Sequence, residues 1–162
     1  MLRINVLILF SCLLCQAQTG DDFEEYLTDL SSRFDIVQIC ADSLPAEGFI
    51  LLDTREEDEF SISRIGNAIH AGYDDFELSM LDMVPRDSEI IVYCSVGYRS
   101  SKIALELIDH GFKNVKNLYG GIFKWANEGR PLYTDSTQTA KIHTYNRHWG
   151  RFIVNPALIK IH

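Results

Sequence analysis

Apolar positions change period several times along the chain, and each change marks an element. Over residues 21–34, Phe23, Leu27, Leu30 and Phe34 recur near the helical period. Acids fill the first turn, where the helix dipole favours them, so this stretch predicts an amphipathic helix. Two short apolar runs, 36–39 and 49–53, read as buried strands, the second following the turn-forming "PAEG". "EEDEFSIS" (56–63) predicts a short helix, "NAIH" (67–70) a short strand, and "DDFELSMLDM" (74–83) a helix stopped by Pro85. "EIIVYC" (89–94) is a nearly continuous β-branched run, the mark of a central strand covered on both faces. "SSKIALELIDHG" (100–111) predicts a helix with Ile103, Leu107 and Ile108 inward and Gly111 at its C-cap. "VKNLYGG" (115–121) follows as a strand and Gly-rich turn, with Gly120 and Gly121 leading into a final helix, "IFKWANEG", whose Trp125 is read as core. Strands alternating with helices through short loops give an α/β fold with a mostly parallel sheet, which binds ligands beyond the C-terminal ends of its strands.

Length and composition narrow this picture. With 162 residues, 46% apolar and 23% charged, the chain suits one globular domain and not a disordered or fibrous protein. A formal net charge of −8, with no Lys/Arg cluster, excludes a nucleic-acid partner. The opening "MLRINVLILFSCLLCQAQTG" differs from the rest: Arg3 precedes an apolar run too short to span a bilayer, and small residues follow at Cys15 and Ala17. The reading is a signal peptide over 1–17 and an exported, periplasmic or secreted protein. "LFSC" (9–12) resembles a lipobox, so lipid anchoring at Cys12 is the alternative. Cys40 and Cys94 then remain, too few for a disulfide framework and without zinc-ligand spacing. A free thiol in an oxidising compartment calls for a chemical reason.

Cys94 supplies one. It ends the most buried strand, just before a helix, where unpaired backbone N–H groups and the positive helix end favour a thiolate. Gly97 lets the loop curl its amides around the sulfur, Arg99 adds a forked cation, and Ser95, Ser100 and Ser101 add hydroxyls or a cap. The group describes an ionised cysteine able to attack an anionic substrate.

"CSVGYRS" resembles the active-site loop of single-domain rhodaneses, the rhodanese-like sulfurtransferases, here of an exported bacterial type. "ILLDTREEDEF", "SRIGNAIH" and "NLYGGIFKWANEGRPL" are similar to three further segments of that family, so ordered matches run over about 36–132. The resemblance implies a rhodanese-like α/β domain over 18–133, whose central, mostly parallel five-stranded sheet carries helices on both faces. It implies that Cys94 takes a sulfane sulfur from thiosulfate, or from a persulfide or polysulfide. A thiol or cyanide then receives that sulfur, the thiol acceptor being a small thiol or a thioredoxin-like protein. The backbone of Ser95, Val96, Gly97, Tyr98 and Arg99 would cradle the outer sulfur, and Arg99 would bind the anionic donor. No metal or organic cofactor is implied. Arg64 stands where the family usually has His. Phosphatases and arsenate reductases with a Cys…Arg loop place five residues between the two; here four intervene, and Tyr93 replaces the His that commonly precedes the phosphatase cysteine. The competing reading is a non-catalytic sulfur carrier or protein-binding module of the same family.

Other residues have plainer readings. Cys40 is structural; Asp53, Arg55 and Glu59 either line the site or, the preferred reading, form a supporting scaffold in which Asp53 caps a turn and Arg55 pairs with a carboxylate. Tyr98 either shields the sulfur or points outward, and His70 ends a strand. The extension 134–162 is too apolar for a disordered end and is expected to pack on the domain, with room for added strands; His148 or Trp149 would close the pocket or simply pack.

Overall fold

The computed structural model describes residues 20–135 and 137–162; the leader over 1–17, Cys12 included, lies outside them. Five strands form one sheet: β1 (Val37–Ile39), β2 (Phe49–Asp53), β3 (Ile69–His70), β4 (Glu89–Tyr93) and β5 (Asn114–Leu118), in spatial order β1-β5-β4-β2-β3. Every pairing is parallel. Among the described residues four α-helices accompany them: α1 (Asp21–Ser32), α2 (Glu57–Ile62), α3 (Tyr98–Asp109) and α4 (Gly121–Asn127).

β4 occupies the middle of the sheet, and Ile90, Ile91, Val92 and Tyr93 are wholly buried. Covering on both faces explains why this strand shows no polar alternation. Its side chains feed two cores in turn. Ile91 and Tyr93 join Phe23, Leu27 and Leu30 of α1 and Ile122, Phe123 and Ala126 of α4. Ile90 and Val92 join Ile103, Ala104 and Leu107 of α3 on the other face. Each fully buried side chain of this size stabilises by about 1.5–3 kcal/mol, so three such anchors fix α1 to the sheet.

The region expected to be helical over 74–83 forms only a 3₁₀ turn at Leu78–Leu81. Its bonds are of the tighter i→i+3 kind, Met80 N–H to Glu77 O and Val84 N–H to Leu81 O. Only Leu81 of that turn is fully buried; Phe76, Leu78 and Val84 pack against the same core while partly exposed, and Met83 is 94% exposed, too little anchoring to hold a regular short helix in place.

The C-terminal segment adds two small sheets. β6 (Leu132–Thr134) pairs antiparallel with β7 (Thr137–Thr139), and β8 (Lys141–His143) pairs in parallel with β9 (Ile159–Ile161). Between β8 and β9 the chain loops across α1: Phe152 stacks on Phe23 at 4.8 Å and on Tyr26 at 5.7 Å. Asn127, at the end of α4, clamps the loop, donating to Phe152 O (2.7 Å) and accepting from Val154 N–H (2.9 Å). Ile142, Phe152 and Ile153 thereby join the α1/α4 core. Among the described residues no helix is long and apolar enough to cross a membrane.

Candidate active site

Cys94 follows directly on β4, at the C-terminal edge of the sheet. The chain then turns through Gly97, whose φ of 118° suits glycine, into α3. That helix starts at Tyr98, so Tyr98 and Arg99 belong to its first turn and not to the loop before it. Cys94 Sγ accepts hydrogen bonds from Gly97 N–H (3.1 Å) and from Ser100 Oγ (3.5 Å). Ser101 Oγ donates to Gly97 O (2.7 Å) and pins the turn. The sulfur thus lies at the N-terminus of a 12-residue helix, among donors that favour negative charge.

A second helix holds the loop from behind. Ile122 N–H donates to Cys94 O (3.0 Å) and Phe123 N–H to Ser95 O (3.1 Å), so first-turn amides of α4 take the carbonyl side of the loop. The approach is close: a Cβ built on Gly121, at φ 54°, would lie 2.3 Å from Cys94 O and 2.8 Å from Ser95 O. Here is the physical need for the second glycine of "YGG".

Electrostatic order comes from Glu59. Its carboxylate takes Arg99 in a fork, Nη1 to Oε2 at 2.6 Å and Nη2 to Oε1 at 2.9 Å. Ser95 Oγ closes the triangle, donating to Glu59 Oε1 (3.0 Å) and lying 3.0 Å from Arg99 Nη2. Burial pushes the Glu59 carboxyl up, but its hydrogen bonds and charge contacts with Arg99 and the charge of Arg55 outweigh this and hold it below the ordinary range. Burial likewise opposes the Arg99 charge, and the bond to Glu59 with the nearby Cys94 sulfur more than offsets it. Of the two readings of Glu59, the structure places it at the site, where it engages Arg99 from 40 residues away. Asp53 and Arg55 form a separate, wholly buried fork, with Arg55 Nε 2.8 Å from Asp53 Oδ1 and Nη2 2.5 Å from Oδ2. Arg55 N–H also bonds Asp53 Oδ1 (3.1 Å), and its Nη2 donates to Ser63 O (2.6 Å), so this pair ties β2 to the end of α2.

Cys94, though only 1% exposed, lines a cavity of about 510 Å³. Ser95, Val96, Tyr98 and Arg99 line it with Cys94, as do Tyr26, Leu30 and Arg33 of α1, Glu56, Tyr73 and Asp74 from the β2–β4 side, and Tyr145 and Trp149 from the C-terminal segment. Tyr98 borders the cavity and is 41% exposed, edge-on to Phe34 at 5.8 Å. Trp149 reaches the cavity and His148 is not part of its lining. Arg64 stacks on Phe60 (4.7 Å) and pairs with Asp135 (3.2 Å), away from the lining. His70 ends β3, with Nε2 2.8 Å from Arg55 O. Cys40 is buried at the head of a 3₁₀ turn after β1. The α1 residues and Tyr145 went unseen in the sequence, since their only signal was aromatic content in segments far from Cys94.

Comparison with known proteins agrees with this geometry. The thiosulfate sulfurtransferase GlpE of Actinobacillus succinogenes is 34% identical over 96 residues, covering 57% of this chain and 83% of the relative. The tRNA uridine(34) hydroxylase of Pectobacterium atrosepticum is 27% identical over 119 residues; 70% of this chain matches there, but only 33% of the relative's length. Among solved structures, a rhodanese-related protein from Thermoplasma volcanium aligns with a TM-score of 0.55 and 28% identity, covering 60% of this chain and 98% of that one. Residues 37–128, the sheet and both helices that grip the cysteine loop, match the rhodanese-like domain, and the chain belongs to that family.

Proposed function

We propose that the protein is a sulfurtransferase working through a persulfide on Cys94. The observation that carries this reading is the sulfur's setting: Sγ ends the central strand, accepts the Gly97 amide at 3.1 Å and lines a cavity. Relatives named as sulfurtransferases support it. With thiosulfate as donor, the Cys94 thiolate attacks the outer sulfur. The new Sγ–S bond forms as the S–S bond to sulfur(IV) breaks, and sulfite leaves with the bonding electrons. The persulfide's outer sulfur then passes to a thiol, giving a hydropersulfide, or to cyanide, giving thiocyanate, and the thiolate is restored. Ser95, Val96, Gly97, Tyr98 and Arg99 supply the cradle, with Ser100 as a further donor. Asp53 and Arg55 hold the β2 end of the site, and Glu59 orients Arg99 and Ser95.

The test is intact mass after incubation with thiosulfate. The wild-type protein gains one sulfur, about 32 Da, cyanide removes it, and Cys94→Ala gains none. No adduct from thiosulfate, polysulfide or an organic hydropersulfide would overturn the enzymatic reading and leave a non-catalytic, protein-binding role.

A further inference from the structure

The cavity is not built by the 37–128 domain alone. Two of its walls come from outside that span: α1 gives Tyr26 and Leu30, and the segment after β8 gives Tyr145 and Trp149. The two walls are joined, since Tyr26 meets Trp149 edge-on at 5.4 Å and stacks on Phe152 at 5.7 Å. Tyr145 is placed at a cost. It holds a φ of 62°, a conformation disfavoured for a bulky residue, and is kept there by hydrogen bonds around it. Its N–H donates to His143 Nδ1 (3.1 Å), and Thr144 before it, wholly buried, bonds Ile161 O through both N–H (2.8 Å) and Oγ1 (3.1 Å). The pairing of β8 with β9 thus sets the position of one ring, and that ring lies 5.5 Å from the Arg99 guanidinium.

Charge points the same way as shape. Arg99 is engaged by Glu59, and Arg33 is paired with Asp29, so neither lining cation is free of a carboxylate. Glu56 and Asp74 also line the mouth. Neither lining cation therefore offers a small inorganic dianion an uncompensated charge; Lys102 stands outside the lining, its ammonium 4.9 Å from the Tyr98 ring. A volume of about 510 Å³ falls within the range of roughly 300–1,000 Å³ that holds organic ligands, and aromatic faces attract cations.

We propose that the C-terminal segment is the specificity element of this sulfurtransferase, with Tyr145 and Trp149 selecting an amine-bearing organic hydropersulfide as sulfur donor over thiosulfate. This deepens the Cys94 persulfide reading and rests on it. In the step, the Cys94 thiolate attacks the terminal sulfur of R–S–SH. The Sγ–S bond forms, the S–S bond of the donor breaks, and RS⁻ leaves and takes up the proton of the new persulfide. Sulfane sulfur is transferred without any outside oxidant or reductant.

The test measures kcat/KM for three donors: cysteamine hydropersulfide, the carboxylate analogue 3-mercaptopropionate hydropersulfide, and thiosulfate. Wild type should use the amine donor at least about tenfold better than the carboxylate donor of similar intrinsic reactivity. In Tyr145→Ala and in Trp149→Ala, the ratio of amine donor to thiosulfate should fall about tenfold or more through KM, which cancels intrinsic donor reactivity. Tyr145 is 56% exposed, so its truncation leaves the core intact, and an unchanged melting temperature confirms this. Equal use of the amine and carboxylate donors, or a ratio unmoved in both variants, overturns the proposal while leaving Cys94 chemistry standing. Loss of the sulfur adduct with all three donors in wild type overturns the chemistry itself.

Discussion

Replacing Gly121 with Ala probes how α4 holds the cysteine loop. Three costs follow from the geometry. A non-glycine residue at φ 54° pays about 1–2 kcal/mol for the left-handed conformation. The new Cβ would sit 2.3 Å from Cys94 O and 2.8 Å from Ser95 O, both backbone atoms that no side-chain rotation can move aside, so relief resembles overpacking at about 1–3 kcal/mol. Moving the loop away also lengthens the bonds from Ile122 and Phe123 to those carbonyls, about 0.5–1.5 kcal/mol for one lost. The total is about 2.5–6.5 kcal/mol, a fall in melting temperature on the order of 5–25 °C for a chain of this size. Gly129→Ala is the matched control: its φ is 73° with no atom within 4 Å of the built Cβ, so only the backbone cost of about 1–2 kcal/mol applies. Urea unfolding of the three proteins, with the rate of sulfur loading on the folded fraction, separates the cases. If Gly121→Ala destabilises no more than Gly129→Ala and loads at the wild-type rate, the claim that α4 grips the loop fails.

Two further outcomes follow. Asp53→Asn leaves the wholly buried Arg55 charge without its counter-ion and should cost about 3–5 kcal/mol in chemical denaturation; a loss under about 1 kcal/mol would show the pair to be dispensable. The Glu59 carboxyl is held below its ordinary range in the fold, so the folded state binds fewer protons there than the unfolded chain does. Its stabilisation is complete above the ordinary carboxylate range and is lost as pH falls through the folded value. The stability gap between wild type and Glu59→Gln should therefore narrow as pH drops from about 7 to about 3, and a gap constant across that window would contradict the assignment.

What was legible in the sequence was local. β4 announced itself because a strand buried on both faces must be apolar throughout, and Cys94 stood at its end with Gly97 and Arg99 within five residues. The Arg99–Glu59 fork was not legible, since Glu59 looks like any acid of the short helix α2 until β2 and β4 bring the two ends together. Tyr98 and Arg99 read as loop because glycine before them obscures where α3 begins; the left-handed Gly97 serves as the helix cap. The 74–83 stretch was misread because period alone does not show how deeply a face is buried, and of its 3₁₀ turn only Leu81 is fully buried, with Leu78 packing beside it partly exposed. The tail's apolar content signalled packing, but not that β8–β9 pairing would carry Tyr145 over Arg99.

A crystal structure of the protein soaked with a sulfane donor addresses the central claim most directly. The account predicts density for one extra sulfur bonded to Cys94 Sγ, within hydrogen-bond distance of amides from residues 95–99 and open to the cavity. An extra sulfur on Cys40 instead, or on Cys94 but turned away from those amides, would contradict it.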